Sequence, residues 1–181
     1  VVVTVNKAVP SISQPSNLTK VYGSGSFTLS DPSVSPSAGV WTYTTDTSDV
    51  ATVSGKTVTL LQAGATTVTA TFAPTSSSLY QTTSTTFTIT VTMASQNIAV
   101  SNSSATYGTD STLSVTGAVG SGAVTYSVVS GPCSIISTTT LRSTSVGTCV
   151  VSATITSDGM YDTATSAGKS IVVSPASRTI S

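Results

Sequence analysis

A two-residue alternation of apolar and hydroxyl side chains constrains this chain more than any other feature. In the stretch "TTVTATFA", Val68, Ala70 and Phe72 fall on one side, and the threonines between them fall on the other. A strand with this pattern places one face on a core and the other in water. Ser and Thr together make up 72 of the 181 residues, and glutamate is absent. Because hydroxyl-bearing, β-branched residues suit strands and glutamate suits helices, the sequence predicts an all-β protein.

The alternation occurs twice, in two related segments. At an offset of 83 positions, Gly64 matches Gly147 and Tyr43 matches Tyr126. The stretches "NKAVPSIS", "MASQNIAVS" and "SPASRTIS" resemble three copies of one linker and first strand. Such self-similarity is typical of repeat proteins. We therefore predict one domain over 1–92, a second over 93–174, and a linker or the start of a following repeat over 175–181. Whether the first residues end a preceding repeat stays open.

Each segment carries about seven short strands separated by stretches rich in Gly, Pro, Asp and Ser, which predicts an antiparallel two-sheet sandwich. The stretch "SDVATVSGKTVTLLQAGATTVTATF" resembles the second half of a bacterial immunoglobulin-like (Big-type) repeat. The second segment, with "GPC" followed by "GTCVV", is similar to a neighbouring class of the same family. Such repeats occur in large surface adhesins and in other secreted or surface proteins. The resemblance implies two tandem immunoglobulin-like β-sandwiches that act as a spacer or adhesive stalk, usually without catalysis.

Composition argues against several classes of function. Four lysines and two arginines are scattered along a chain with no net charge, so no basic cluster is present to bind nucleic acid. No apolar run is long enough to span a bilayer, so membrane insertion is not expected. The chain has no histidine to serve as the base for a nucleophilic serine. Its paired aspartates lie in turn-like contexts that do not suggest a glycosidase. We therefore expect no enzymatic activity.

The two cysteines, Cys133 and Cys149, lie 16 positions apart. A structural zinc site needs four ligands, generally Cys and His, and the chain cannot supply them. A redox motif of the C-x-x-C kind has only two residues between its cysteines. The residues alone therefore leave a disulfide or two buried thiols. The family resemblance favours the disulfide, because cysteines recur at these positions in the family, and a disulfide requires an oxidising environment.

Three further features have both a structural and a functional interpretation. In "SDGMYD", Asp158 and Asp162 could contribute to a calcium site, although Asp-Gly is also ordinary turn chemistry. Trp41 is either a core residue or a platform for a sugar ring. Asn17 and Asn102 lie in N-glycosylation sequons, which matter only where the modifying enzymes are present. No other cofactor is expected.

We expect a non-catalytic spacer of an extracellular or cell-surface repetitive protein, with neighbouring immunoglobulin-like repeats as its partners. One alternative is a filament or virion subunit that assembles through edge strands. The other is an accessory module that binds carbohydrate or a receptor, with a host-surface glycan or protein as partner.

Overall fold

The computed structural model describes residues 4–177; residues 1–3 and 178–181 lie outside the described residues, and with them most of the predicted start of a following repeat. The chain divides into two compact units, Val1–Ala94 and Ser95–Ser181. The division falls two residues after the boundary that was predicted from the linker sequences. Each unit has its own buried cluster of hydrophobic side chains.

The first unit is built from two sheets and a short strand pair. Its strands are β1 (Ser11–Ile12), β2 (Leu18–Val21), β3 (Phe27–Thr28), β4 (Val34–Ser35), β5 (Gly39–Thr45), β6 (Ala51–Ser54), β7 (Thr57–Leu60), β8 (Gly64–Pro74) and β9 (Thr83–Thr92). One sheet has the order β2-β9-β8-β5 and the other the order β3-β7-β6, while β1 pairs with β4. All pairs are antiparallel except β2 with β9, which run parallel.

The second unit repeats this arrangement. Its strands are β10 (Ala99–Val100), β11 (Ser104–Thr106), β12 (Ser111–Thr112), β13 (Val115–Thr116), β14 (Val124–Ser130), β15 (Cys133–Ser137), β16 (Thr140–Ser143), β17 (Gly147–Ile155), β18 (Ala164–Thr165) and β19 (Lys169–Ser174). One sheet has the order β11-β19-β17-β14, with β18 also on β17; the other has the order β12-β16-β15, and β10 pairs with β13. Strands β11 and β19 are again the parallel pair.

Both units are immunoglobulin-like β-sandwiches, which confirms the predicted fold class. In each, one sheet pairs the second strand with the last strand and continues through two further antiparallel strands, and a three-stranded sheet faces it. None of the elements in residues 4–177 is a helix with the length and apolarity to cross a membrane.

The alternating pattern forms the cores as predicted. Val68, Ala70 and Phe72 on β8 are fully buried. On β17, Val151, Ala153 and Ile155 occupy the same positions in the second unit and are equally buried. Burying the Val, Ile or Phe side chains among these contributes about 1.5–3 kcal/mol each. Strands β8 and β17, which lie inside their sheets, therefore each place three side chains in the core.

Candidate functional site

Cys133 and Cys149 form a disulfide, with their Cα atoms 6.1 Å apart. Cys133 begins β15 in the three-stranded sheet, and Cys149 lies on β17 in the opposite sheet. The Cys149 side chain is fully buried, in phase with Val151, and Cys133 is half-buried. The bond therefore joins the two sheets of the second unit through its core.

Gly131 allows the chain to approach β17 closely just before Cys133. Its φ is +99°, a left-handed conformation that favours glycine. A Cβ at this position would overlap the carbonyl oxygen of Thr148 and lie 2.7 Å from the Cα of Cys149. The "GPC" motif therefore has a physical reason, because only glycine lets the turn after β14 bring Cys133 against Cys149.

Strand register identifies the counterparts of the cysteines in the first unit. Cys149 pairs with Ile171, and Thr66 pairs with Ile89 in the same way. In the second unit, Cys133 pairs with Ser143. Ser143 lies 83 positions after Leu60, and in the first unit Leu60 pairs with Ala51. The disulfide positions therefore correspond to Ala51 and Thr66. A constant offset gives Val50 in place of Ala51; the difference arises because the connection from β14 to β15 differs in length from that between β5 and β6.

Thr66 connects β8 to the loop after β5 through hydrogen bonds. Its side chain is 1% exposed, and its Oγ1 donates to Asp46 Oδ1 at 2.9 Å and accepts from the Thr47 N–H at 3.2 Å. Asp46 Oδ1 also accepts from the Thr67 N–H at 2.7 Å. The Thr67 amide, followed by the Thr66 hydroxyl, lowers the pKa of Asp46 to about 2. A polar cluster thus occupies the place that the disulfide takes in the second unit.

In the second unit, Asp158 likewise lies at the centre of a group of hydrogen bonds, but in a different loop, the one between β17 and β18. Its Oδ2 accepts from the N–H and hydroxyl of Ser121, and its Oδ1 accepts from the N–H groups of Met160 and Tyr161. The Ser121 amide is the main cause that lowers the pKa of Asp158 to about 2. Since a carboxylate has about four lone-pair positions, this one is filled.

Asp158 and Asp162, the predicted calcium candidates, have other hydrogen-bond partners in this structure. All the acceptor positions of Asp158 are used, and the backbone carbonyl of Asp162 accepts from Gln96 Nε2 at 2.8 Å. Within residues 4–177, no group of three or more His, Cys, Asp or Glu side chains is placed to hold a metal. Asp158 instead fixes the loop between β17 and β18 to the turn before β14.

Trp41 packs on the core of the first unit. Its ring centroid lies 5.1 Å from that of Phe72, its cross-strand neighbour, and 6.3 Å from that of Tyr43. Tyr43 is buried and Trp41 is half-buried on the same face of β5. The ring therefore lies partly in the core and partly at the surface, and it contributes to core packing through Phe72 and Tyr43.

The two sequon asparagines lie just before the parallel pairing in each unit, Asn17 one residue before Leu18 and Asn102 two residues before Ser104. Asn17 is exposed, and its Oδ1 accepts from the Thr88 N–H at 2.9 Å. Asn102 is half-buried; its Nδ2 donates to the Thr112 carbonyl and its Oδ1 accepts from the Ser114 N–H. Both side chains therefore fix the chain just before β2 and β11, and a glycan on Asn102 would have to preserve this pair of bonds.

Asp31, Tyr43 and Lys56 form a hydrogen-bonded cluster that no sequence motif predicted. Asp31 accepts from Tyr43 Oη at 2.7 Å and from Lys56 Nζ at 2.6 Å. Burial raises the pKa of Asp31, but the hydrogen bonds from Lys56 and Tyr43 lower it by more, so the net effect is a decrease. The pKa of Tyr43 is raised by burial and by its bond to Asp31. No motif links residues this far apart, so only the folded sheet reveals the cluster. Its polar groups are used in mutual hydrogen bonds, which suits structure better than reaction chemistry.

Three solved structures illustrate what the chain is similar to. No protein-family model and no curated protein sequence matches it. Drosophila N-cadherin EC1-4 matches at 12% identity and a TM-score of 0.43, over 94% of this chain and 50% of that one. The surface layer protein SbsC, domains 1-6, matches at 15% identity and a TM-score of 0.39, over 76% of this chain and 20% of that one. The D00-D0 domain of intimin matches at 16% identity and a TM-score of 0.32, over 90% of this chain and 99% of that one. The chain thus spans about half of the cadherin fragment and a fifth of the SbsC fragment.

Proposed function

We propose that the chain is a pair of load-bearing spacer modules from an extracellular, repetitive surface protein. The observation that carries this proposal is the parallel pairing of β2 with β9 and of β11 with β19, a strand near the start and the last strand of each sandwich. In the first unit, Leu18 to Val21 pair in register with Ile89 to Thr92. In the second, Ser104 to Thr106 pair with Val172 to Ser174.

Parallel pairing near the two ends determines how a pulling force acts on each unit. When a chain is pulled from both ends, two parallel terminal strands are drawn past one another along their length. Their hydrogen bonds then share the load and must break together, whereas an antiparallel hairpin opens one bond at a time. The Tyr22 N–H, which donates to the Thr92 carbonyl at 2.8 Å, and the Tyr107 N–H, which donates to Ser174 at 2.9 Å, extend the two ladders. This geometry supports a module that transmits tension.

Composition and the disulfide support a surface location. Only 7% of residues are charged, and most of the outward-facing positions on the strands are Ser or Thr. Such a surface stays hydrated while giving oppositely charged partners little to bind. A sheet-to-sheet disulfide in the second unit is the chemistry of secreted and surface-exposed proteins. Neighbouring modules of the same kind are the partners that a spacer requires.

A proline pair in β11 tests the load-bearing role. Alternate N–H groups of a strand point the same way, so the Ala105 N–H faces β19 together with that of Tyr107, and the Ser104 N–H faces away. Ala105→Pro therefore removes a ladder donor, and Ser104→Pro is the matched control. In single-molecule pulling of the full chain, we expect Ala105→Pro to lower the unfolding force of the second unit clearly more than Ser104→Pro.

Equal unfolding forces for the two proline variants would contradict the load-bearing role. Sedimentation of the unmodified chain provides an independent check, because a spacer is expected to remain monomeric. Polymers that grow with concentration would favour the alternative of assembly through edge strands. Binding on a glycan array that is lost in Trp41→Ala would favour the carbohydrate-binding alternative.

A further inference from the structure

A cleft opens at one edge of the first sandwich, between β2 of the four-stranded sheet and β3 of the three-stranded sheet. Its volume is about 430 Å³, which lies within the range of small-ligand sites. The apolar part of its lining consists of Pro15, Leu18, Phe27, Leu29, Pro32 and Phe87. Serine and threonine residues complete the lining together with two charged side chains, Lys20 and Asp31.

The inner end of the cleft reaches the hydrophobic core. Leu29 and Phe87 belong to the core cluster and are 5% and 6% exposed. Leu18 and Phe27 are half-buried and pack against the same cluster. The serines of the lining are all exposed, so they lie at the mouth. A ligand that enters the cleft would therefore contact apolar side chains with its inner part and hydroxyl groups with its outer part.

Lys20 is a charged residue at an inward-facing strand position. On β2, Leu18 and Lys20 are half-buried and alternate with exposed residues, so Lys20 lies on the side that faces the interior of the sandwich. Its Nζ lies 4.7 Å from the centre of the Phe27 ring. Neither of the ion pairs found within residues 4–177 includes Lys20. An aromatic ring attracts an ammonium group but does not neutralise its charge, so this cation still lacks an anionic partner.

Asp31, the other charged residue of the cleft, already has its partners. Its carboxylate accepts from Lys56 Nζ and from Tyr43 Oη. The charge that remains for a ligand is therefore the positive charge of Lys20. A carboxylate on the ligand would form a charge-assisted hydrogen bond with Lys20, whereas an amine would be repelled by it.

The second unit shows that the fold does not require this lining. Strand register gives the equivalents of Lys20, Phe27 and Phe87 as Ala105, Ser111 and Lys169. A methyl group, a hydroxyl and a charge thus occupy the places where the first unit has an ammonium group and two aromatic rings. Since the same sandwich forms with either set, folding alone does not account for the apolar lining and the inward-facing lysine of the first unit.

We propose that this cleft binds a small molecule that has an apolar body and one carboxylate. The body lies against Leu18, Phe27 and Phe87, and the carboxylate pairs with Lys20 Nζ. Because a water molecule occupies about 30 Å³ in the liquid, the cleft has room for about a dozen heavy atoms. That size suits an aryl or alkyl carboxylic acid and is too small for a folded partner. The site is additional to the spacer role and does not depend on it.

An NMR titration of the isotope-labelled full chain tests the proposal. Phenylbutyrate, an aryl carboxylate of about a dozen heavy atoms, is the probe, and phenylbutylamine has the same body with the opposite charge. We expect phenylbutyrate to shift amide signals of β2 and β3 until they saturate, with a dissociation constant of about 1 mM or tighter. It should bind at least about threefold more tightly than phenylbutylamine.

Two variants separate the charge of the site from its apolar lining. Lys20→Met keeps the apolar stem and should weaken phenylbutyrate binding about threefold to fivefold. Lys169→Met makes the same change in the second unit and should leave binding unchanged. Phe27→Ser introduces the residue found at this position in the second unit and should weaken the binding of both probes. Thermal unfolding followed by Trp41 fluorescence is the control for folding of the first unit.

The absence of saturable shifts in β2 and β3 at tens of millimolar phenylbutyrate would overturn the proposal. Binding of phenylbutylamine that is as tight as that of phenylbutyrate would overturn it as well, because Lys20 would then select no carboxylate. Equal weakening by Lys20→Met and Lys169→Met would mean nonspecific attraction to positive charge and would also contradict it. None of these outcomes bears on the unfolding forces of the proline variants, so a failure of this site is distinguishable from a failure of the spacer role.

Discussion

The two sandwiches solve one structural problem with different chemistry. At the same position of the central strand, the first unit has Thr66 and the second has Cys149. Thr66 is hydrogen-bonded to the loop after β5, through Asp46 and Thr47. Cys149 is covalently bonded to Cys133 on the opposite sheet.

This difference separates what the fold requires from what it tolerates. Both side chains are almost fully buried, at 1% and 0% exposure, so each must satisfy its polar or reactive atom inside the protein. A hydroxyl does so with a nearby carboxylate and amide, and a thiol does so by forming a disulfide. The sandwich needs a side chain at this position whose polar atom is satisfied when buried. Either hydrogen bonds or a disulfide meets that need.

Removing the disulfide is expected to have the largest effect, and only on the second unit. In the chain-entropy model, a loop closed across 16 positions stabilises the fold by about 3 kcal/mol. Cys133→Ala combined with Cys149→Ala should lower the free energy of unfolding of the second unit by that amount. Trp41 is the single tryptophan, so its fluorescence follows the first unit and should show no change. A shift of the fluorescence transition would contradict the independence of the two cores.

Moving the disulfide into the first unit tests the equivalence of the two positions. On air oxidation, Ala51→Cys with Thr66→Cys should form a bond, seen as a mass loss of two hydrogen atoms, since these residues share the register of the natural pair. The net gain is expected to be about 2 kcal/mol, because the bond adds about 3 kcal/mol and the lost hydroxyl bonds cost about 1 kcal/mol. Val50→Cys with Thr66→Cys is the matched control. A bond that forms as readily in the control would refute the assignment of Ala51.

Deleting the buried hydroxyl alone should have a smaller effect. Thr66→Val keeps the shape but removes the donor to Asp46 and leaves the Thr47 N–H without its acceptor. We expect the first unit to lose about 1–2 kcal/mol, measured by tryptophan fluorescence during urea unfolding. Thr69→Val, on the outer face of the same strand, should change the stability by less than about 0.5 kcal/mol. Equal effects of the two variants would mean that the polar cluster contributes nothing specific.

The smallest expected effect is a loss of stability in acid. Asp46 and Asp158 have a pKa of about 2 when folded, against 3.8 ordinarily, so the unfolded chain binds their protons more tightly. Their contribution is present above about pH 4 and is lost as the pH falls towards 2. Asp46→Asn should flatten this dependence for the first unit, and Asp158→Asn for the second. Asp31 and Asp110, which also have a lowered pKa, should preserve part of the slope. An unchanged slope in both variants would contradict the assignment.

The sequence predicted those features that depend on local alternation. Val68, Ala70 and Phe72 are buried because a strand has a period of two residues, and that rule needs no tertiary information. A constant offset of 83 positions misses the counterpart of Cys133 by one residue, because the irregular register of β14 and the length of the following turn cannot be read from the sequence. The Asp46 and Asp158 clusters depend on loop conformation, so the sequence could suggest turns there but not the amides that fill each carboxylate.

Pulling the full chain from both ends tests most directly whether the units are load-bearing spacers. We expect two separate unfolding events. Without reductant, the event of the second unit should release about 50 Å less chain than after reduction, since the disulfide locks 16 positions. The event of the first unit should not respond to reductant. Gradual extension at low force, without distinct events, would contradict the claim that parallel terminal strands resist tension in each sandwich.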